Sequence, residues 1–313
     1  MSATEMHCDL CGGQAIEAIA HKDRHGKPLD TGICLGCGLV MHLPVPSEEQ
    51  VAEYYARHYR RDYHGEQRPS ARRIMRAWRN AQRIHSQLEP WLGRDMRVFE
   101  VGAGIGCTVK YFERRGMRAR GIEPNRDFNA FTRECLHAEV TNRNLFELAG
   151  ERSEQLVLLI HVIEHFVSPT RALLHIRELL ADDGMLYIEC PNLTGPFATR
   201  PRMFHFAHIH NFTPETLRAL AAKCGFEMVA NFRRAHEPNI EMLFRKRAKP
   251  LPMPDLATHA ERVKAAIDRY NILSYHLRPH YLAARARKLA GYAAERLWAK
   301  RFVTRLLEEL ARR

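Results

Sequence analysis

The sequence predicts a doubly wound α/β domain with a mostly parallel sheet and an antiparallel final strand. A small N-terminal metal module and a basic helical tail flank it. Three observations predict this. From Met96 onward, short apolar runs alternate with helical segments, as a sheet covered on both faces requires. The stretch Val98–Gly106, V-F-E-V-G-A-G-I-G, runs a β-rich start into glycines at every second position. Two C-x-x-C pairs, Cys8/Cys11 and Cys34/Cys37, precede that domain.

The chain has 313 residues, enough for one large domain with appendages. No apolar run approaches the roughly 18 residues that span a bilayer; the longest, Leu156–Ile163, is interrupted by His161. The N-terminus has neither a basic nor an apolar leader segment, so the expected location is cytoplasmic. The formal net charge is +12, and residues 255–313 carry 13 Lys/Arg against 6 Asp/Glu. More than half the excess therefore belongs to the tail, and no recognisable nucleic-acid module accompanies it.

The expected boundaries are a zinc-ribbon-like module over 1–45, a helical cap over 46–95, the α/β domain over 96–247, and a Pro-rich linker with helical tail over 248–313. In a cytoplasmic chain, paired cysteines indicate metal before disulfide. Each C-x-x-C turn aims two thiolates at one point and is followed by a glycine, Gly12 or Gly38. Cys8, Cys11, Cys34 and Cys37 thus make a closed, structural Zn²⁺ site. With the shell complete, His7, His21, His25 and His42 are expected to be solvated. The scattered Cys107, Cys135, Cys190 and Cys224 read as small buried hydrophobes.

Ser47 caps a first helix over 51–59, and a second runs from Pro69 to Leu88 with Ile74, Met75, Trp78 and Ile84 on one side. The Tyr/His/Arg stretch from Tyr54 to His64 is read either as a substrate contact or as an amphipathic cover on the sheet. In the α/β domain the expected order begins with strand 97–101, a helix from Ile105 to Arg115, strand 117–122 and helix 125–135. Next come a short strand over 138–140, strand 155–160, a helix from Ser168-Pro169 to Leu180, and a strand ending at Asn192. Helix 214–224, stopped by Gly225, and strands 226–232 and 239–245 close it.

The glycine turn is the first functional signal. A dinucleotide fingerprint needs G-x-G-x-x-G, and its third glycine falls on Cys107. What stands is E-x-G-x-G-x-G, from Glu100 to Gly106. Glu123, at the tip of the next strand, is placed to grip a ribose diol, because a carboxylate accepts two hydroxyl hydrogens at once. The fourth strand ends in His161-Val-Ile-Glu164-His165, and a later strand ends in Pro-Asn at 191–192.

In these features residues 96–247 resemble the class I S-adenosylmethionine (SAM)-dependent methyltransferases, which are Rossmann-like. The resemblance implies SAM as cofactor, contacted by Glu100, Gly102, Ala103, Gly104, Gly106, Glu123, Asn144 and His161. Residues 141–148 fall where such enzymes contact adenine, with Asn142 or Asn144 at its edge and Leu145 or Phe146 on its face. His165, at the end of the fourth strand in the crevice where ligands bind, is the candidate general base, since an imidazole titrates near neutral pH; Glu164 either orients it or binds an acceptor hydroxyl. Some O-methyltransferases of this superfamily hold a metal with E-x-x-E-H and a distant histidine. Here the run is His161-x-x-Glu164-His165, with His208 and His210 downstream.

The cysteine pairs and the E-H dyad are also similar to those of sugar C-methyltransferases, although Ile163 stands close before Glu164 where those enzymes have a tyrosine, and the tail is short. The expected acceptor is a small biosynthetic molecule, a sugar or glycan. Open beside it are a lipid-linked acceptor at the inner membrane face and RNA. For the tail, packing or self-association, an anionic membrane surface and nucleic acid compete, with nucleic acid the least favoured.

Overall fold

A computed structural model describes residues 7–57, 69–150, 153–195, 198–233 and 237–312. Its strands form two sheets. A four-stranded sheet has the order β1-β2-β3-β9, and a seven-stranded sheet has the order β10-β11-β8-β7-β4-β5-β6. The elements that matter to function are β1 (Ile16–Lys22), β2 (Pro28–Cys34), β3 (Val40–His42), β4 (Arg97–Val101), β5 (Arg118–Ile122), β6 (Val140–Thr141) and β7 (Glu154–Ile160), with β8 (Leu180–Pro191), β9 (His210–Asn211), β10 (Phe226–Asn231) and β11 (Asn239–Lys246).

In the large sheet β4 pairs parallel with β5, and β5 with β6. β11 runs antiparallel to both β8 and β10. From β4 the chain steps outward through β5 and β6, then returns to place β7 on the other side of β4. That reversal is a topological switch point, where open α/β sheets bind ligands beyond the carboxyl ends of their strands.

The helices are α1 (Glu48–Arg57), α2 (Ala71–Leu88), α3 (Cys107–Arg114), α4 (Arg126–Phe131), α5 (Pro169–Leu179), α6 (Pro214–Lys223), α7 (His259–Asp268), α8 (Ile272–His276) and α9 (Pro279–Ala311). Several boundaries differ from expectation. Helix α3 begins at Cys107 rather than Ile105, because Gly106 is still left-handed and serves as its N-cap. Helix α4 stops at Phe131 and passes into a π-type turn, Thr132–Leu136. β8 starts at Leu180 rather than after the Asp182–Gly184 turn. His58 to His64 lie outside the described residues, as does the side chain of Tyr55.

Packing divides the chain into two compact units. The first comprises Met1–His64, Leu159–Glu178 and Met185–Tyr275, and the second comprises Gly65–Leu158, Leu179–Gly184 and His276–Arg313. In the first, the ribbon strands join a strand far along the chain, for Val40 pairs with Asn211 and Met41 with His210. Ile33 and Val40 of the ribbon share a buried cluster with Phe204 and with Val263 and Ile267 of α7. In the second unit α2 buries Ile74, Met75, Trp78, Ala81, Ile84 and Leu88 on one face, the i, i+3/i+4 stripe of a helix seated on a core. Trp78 meets Tyr111 of α3 edge to face at 5.4 Å.

His42 corrects the expectation of solvated ribbon histidines. It is 1% exposed, because it lies on β3 beneath the 204–210 loop, and its Nε2 is 3.1 Å from Phe206 O. Burial pushes its pKa down to about 4, against backbone hydrogen bonds that raise it. His7, His21 and His25 are on the surface, with His21 paired to Asp30 at 2.7 Å.

Candidate functional site

The glycine turn lies in the second unit. β4 delivers Glu100, 4% exposed, to the turn. Burial, together with the Glu123 charge, pushes Glu100 up to about 8, although hydrogen bonds at Thr108 and Val109 oppose the shift. Its Oε2 has no hydrogen-bond partner among the described residues. Gly102, Gly104 and Gly106 all have positive φ, at 71°, 55° and 73°. The latter two carry different constraints. A Cβ on Gly104 would meet nothing within 4 Å, so the space above it is open to a ligand. A Cβ on Gly106 would meet Thr132 Cγ2 at 2.2 Å, so packing as well as conformation requires glycine there. Ala103 N–H donates to Ile122 O at 2.9 Å, tying the turn to the end of β5.

Glu123 closes the turn. Its Oε2 accepts from Gly104 N and its Oε1 from Asn125 N, both at 2.8 Å. A carboxylate offers about four lone-pair positions. The two amides occupy one on each oxygen, which leaves one on each for the two hydroxyls of a ribose. Burial raises the Glu123 pKa, and the two amide bonds and the Arg73 charge oppose that shift.

The 141–148 loop is braced on this turn. Asn142 Nδ2 donates to Glu123 O and Pro124 O, each at 2.8 Å. Asn144 accepts from Phe146 N at 2.9 Å and donates to Glu147 Oε1 at 2.5 Å, so its amide caps the short helical turn 145–147. Leu145 is buried and Phe146 half-buried.

The histidine cluster lies in the first unit, just after β7. His161 takes a left-handed φ of 55°, and its N–H donates to Glu189 O at 2.7 Å. Its ring sits between two carboxylates, with Nδ1 3.5 Å from Glu164 Oε1 and Nε2 3.4 Å from Glu189 Oε1. Burial disfavours charge on His161, but the two carboxylates outweigh it and push the pKa up to about 10. The two carboxylates thus favour the charged form of His161, which suits it to balancing them rather than to accepting a proton.

The short helical turn Ile163–His165 aims Glu164 inward. His165 Nδ1 lies 2.6 Å from Ala207 O. A carbonyl only accepts, so Nδ1 carries the hydrogen and Nε2 carries the lone pair of the neutral ring. His165 Nε2 and His208 Nε2 are each 3.8 Å from Glu164 Oε1. His205 packs on His208 with ring centroids 3.9 Å apart. Burial holds His205 down at about 3 and His208 well below its usual value. His210, on β9, is fully buried with its Nδ1 3.1 Å from Phe166 O, and it does not join the cluster. His205 and His208 come from a loop with no periodic pattern; the sequence offers His208 as a downstream histidine for the Glu164-His165 run, and His205 only through the density of histidines between 205 and 210.

The cysteine cluster, also in the first unit, has the geometry of a tetrahedral thiolate site. Cys8 Sγ lies 3.6 Å from Cys37 Sγ, and Cys11 Sγ lies 3.5 Å from Cys34 Sγ. Zinc–sulfur bonds of about 2.3 Å place sulfurs about 3.8 Å apart in a tetrahedron, so the four residues fit the ion. Hydrogen bonds from Cys37 and Cys8 lower the Cys34 pKa. Asp9, inside the first knuckle, locks it to α5: its carboxylate accepts from Ser168 Oγ at 2.6 Å and Thr170 N at 2.8 Å. Lys223 Nζ donates to Asp9 O at 2.6 Å.

Residues 68–231, more than half of the chain, match the family described as methyltransferase domain. The chain belongs to that family. No curated protein matches this methyltransferase. Its fold is similar to that of the 1,6-didemethyltoxoflavin-N1-methyltransferase of Burkholderia thailandensis, solved with S-adenosylhomocysteine (22% identity, 66% of this chain and 88% of that one, TM-score 0.45). It is also similar to magnesium protoporphyrin IX methyltransferase from Synechocystis (13%, 64% and 100%, 0.48). A third similar structure is a SAM-dependent methyltransferase from Archaeoglobus fulgidus (16%, 53% and 94%, 0.44). Among the described residues no helix is long and apolar enough to cross a membrane.

Proposed function

We propose that this methyltransferase holds SAM on the Gly102–Gly106 turn and transfers its methyl group to a small biosynthetic acceptor, a sugar or glycan. The observation that carries the cofactor assignment is Glu123, whose two oxygens each keep one acceptor position beyond the amides of Gly104 and Asn125. The buried Glu100, whose Oε2 has no hydrogen-bond partner among the described residues, fits a site that takes a cation, because the sulfonium and ammonium of SAM favour its carboxylate form.

In the reaction the S–CH₃ bond breaks and its electron pair stays on sulfur, giving the thioether of S-adenosylhomocysteine. The acceptor oxygen supplies the pair for the new C–O bond and gives up its proton. The His165/Glu164/His208 cluster is assigned to that proton, with His165 Nε2 as the basic atom. The cofactor is already activated, so alignment and deprotonation are what the protein must add. In the ribbon, Cys8, Cys11, Cys34 and Cys37 are assigned to one structural Zn²⁺.

A second reading places the acceptor at an anionic membrane surface. It is favoured by α9, which exposes Leu289, Leu297 and Trp298 beside Arg296, Lys300 and Arg301. Pelleting with phosphatidylglycerol vesicles tests that reading.

Calorimetry with SAM and with NAD tests the cofactor, and absence of SAM binding overturns the proposal. His165→Ala should lower turnover and leave SAM affinity within a few-fold; unchanged turnover removes His165. Metal analysis of the purified protein should find about one zinc, lost in Cys34→Ser.

A further inference from the structure

Glu164 is 1% exposed, and neither of its carboxylate oxygens has a hydrogen-bond partner among the described residues. A buried carboxylate without donors is strongly unfavourable. The groups aimed at it are not placed as hydrogen-bond donors. His165 Nε2 and His208 Nε2 both face Oε1 from 3.8 Å, and His161 Nδ1 faces it from 3.5 Å. Hydrogen bonds of this type end near 3.2 Å.

These separations suit a different bond. Two ligand atoms about 2.1 Å from a tetrahedral centre lie about 3.4 Å apart. One ligand atom each from Glu164, His165 and His208 lies within 4.8 Å of the others; the two Glu164–histidine separations, 3.8 Å, need a contraction of about 0.4 Å and the histidine pair one of at most about 1.4 Å.

The surroundings orient these ligands. Metal-bound imidazoles commonly donate their other N–H to a carbonyl or carboxylate, and His165 does so through Nδ1 to Ala207 O at 2.6 Å. The two histidines approach from different directions, with ring planes 73° apart and centroids at 5.0 Å. His205 packs on the ring of His208 and fixes its tilt. His161 is engaged by a second carboxylate, Glu189, at 3.4 Å and is left outside the set.

We propose that Glu164, His165 and His208 bind one divalent transition-metal ion, leaving open positions for the acceptor. Two imidazoles and one carboxylate are borderline-to-hard donors, which suit Zn²⁺, Mn²⁺ or Fe²⁺ rather than the soft ions that thiolates select. The use of the ion rests on the methyl-transfer reading above. An acceptor oxygen bound to it would release its proton to water more readily, as water bound to zinc does. His165 Nε2 would then be a ligand rather than the base.

The experiment uses the full chain, purified with its ribbon metal in place, and Mn²⁺ as the probe, since thiolates discriminate against this hard ion. Electron paramagnetic resonance counts the Mn²⁺ removed from solution, and calorimetry with SAM checks each variant. One Mn²⁺ should bind per chain, and Glu164→Gln and His208→Gln should each weaken it at least tenfold while SAM still binds. In the wild-type protein, histidine ring NMR signals broadened by Mn²⁺ should include those of His165 and His208, a measurement that no folding defect can confound.

No Mn²⁺ uptake, uptake in both variants equal to that of wild type, or broadening confined to other histidines overturns the site. In that event turnover that survives chelators but is lost in His165→Ala leaves the direct-base reading standing. Failure of wild type to bind SAM instead overturns the methyl-transfer reading, and the Mn²⁺ count still decides the ion.

Discussion

Replacing Glu123 by glutamine tests the cofactor site most directly. In the wild-type protein Gly104 N and Asn125 N each donate to one oxygen of Glu123 at 2.8 Å. Glutamine keeps the size but must turn its NH₂ toward one of those two amides, donor against donor. One of the two bonds proposed to the ribose diol would be lost with it. Hydrogen bonds to charged groups contribute about 1.5–3 kcal/mol each, and Glu123 is buried, so solvent screening takes little from that figure. Glu123→Gln should therefore weaken SAM or S-adenosylhomocysteine by roughly 10- to 150-fold, and Glu123→Ala, which removes both bonds, by roughly 10²- to 10⁴-fold. Calorimetry measures the affinities, and circular dichroism confirms the fold. A cofactor analogue lacking one ribose hydroxyl completes a double-mutant cycle: it should bind wild type more weakly and lose less in Glu123→Gln. A folded Glu123→Gln protein that binds SAM like wild type, or a cycle with no coupling, would refute the reasoning.

Gly104→Ala and Gly106→Ala should separate ligand access from packing. Left-handed backbone costs an alanine about 1–2 kcal/mol in either case, but only Gly106→Ala collides with Thr132. Urea titration should show it the less stable, with partial recovery in Gly106→Ala/Thr132→Ala; Gly104→Ala should fold and lose SAM affinity. Glu100 predicts a pH effect in the ligand-free protein. Its pKa is about 8 when folded against an ordinary 4.5, so across that window the folded chain holds a proton that the unfolded chain has released. Its contribution is fully present below about 4.5, is lost as pH rises toward 8, and is flat beyond. Urea midpoints measured at fixed pH should show that slope and lose it in Glu100→Gln; an identical slope in the variant would dismiss the assignment. Asp9→Ala should lower stability by about 1.5–3 kcal/mol through its bonds to Ser168 and Thr170, yet keep one zinc. Cys34→Ser should lose the metal, so metal content distinguishes the two thermal melts.

Much of this was legible because its causes are local. The apolar run of β4, the glycines after it and the acid ending β5 each follow from short-range geometry, and they fall where the sequence puts them. So do the four cysteines, since a C-x-x-C turn builds half a site by itself. The features that escaped depend on partners distant in sequence. His42 looked like one more ribbon histidine, and nothing beside it reveals that the 204–210 loop covers it. Asn144 is expected at the adenine edge, with Asn142 as the alternative; its side chain bonds within its own turn, a use that competes with a ligand. Asp9 occupies a variable position of a C-x-x-C, where no pattern announces that it caps a helix from the other end of the domain. The histidines at 205 and 208 are visible as residue types, but the approach of His208 to Glu164 and the packing of His205 on His208 are properties of the folded loop alone.

The pairing of β3 with β9 has a consequence for how the chain acquires its structure. Met41 finds its partner only when His210 has been made, so the N-terminal sheet cannot complete itself while the intervening chain is still being synthesised. Until then the edge of β3 presents unpaired backbone groups, the kind of surface that invites wrong association. Contacts between such distant segments form slowly. An ion taken up early by the cysteines would hold β2 and the following turn together during that wait. Metal availability during synthesis would then influence the yield of native protein, apart from any effect on the finished enzyme.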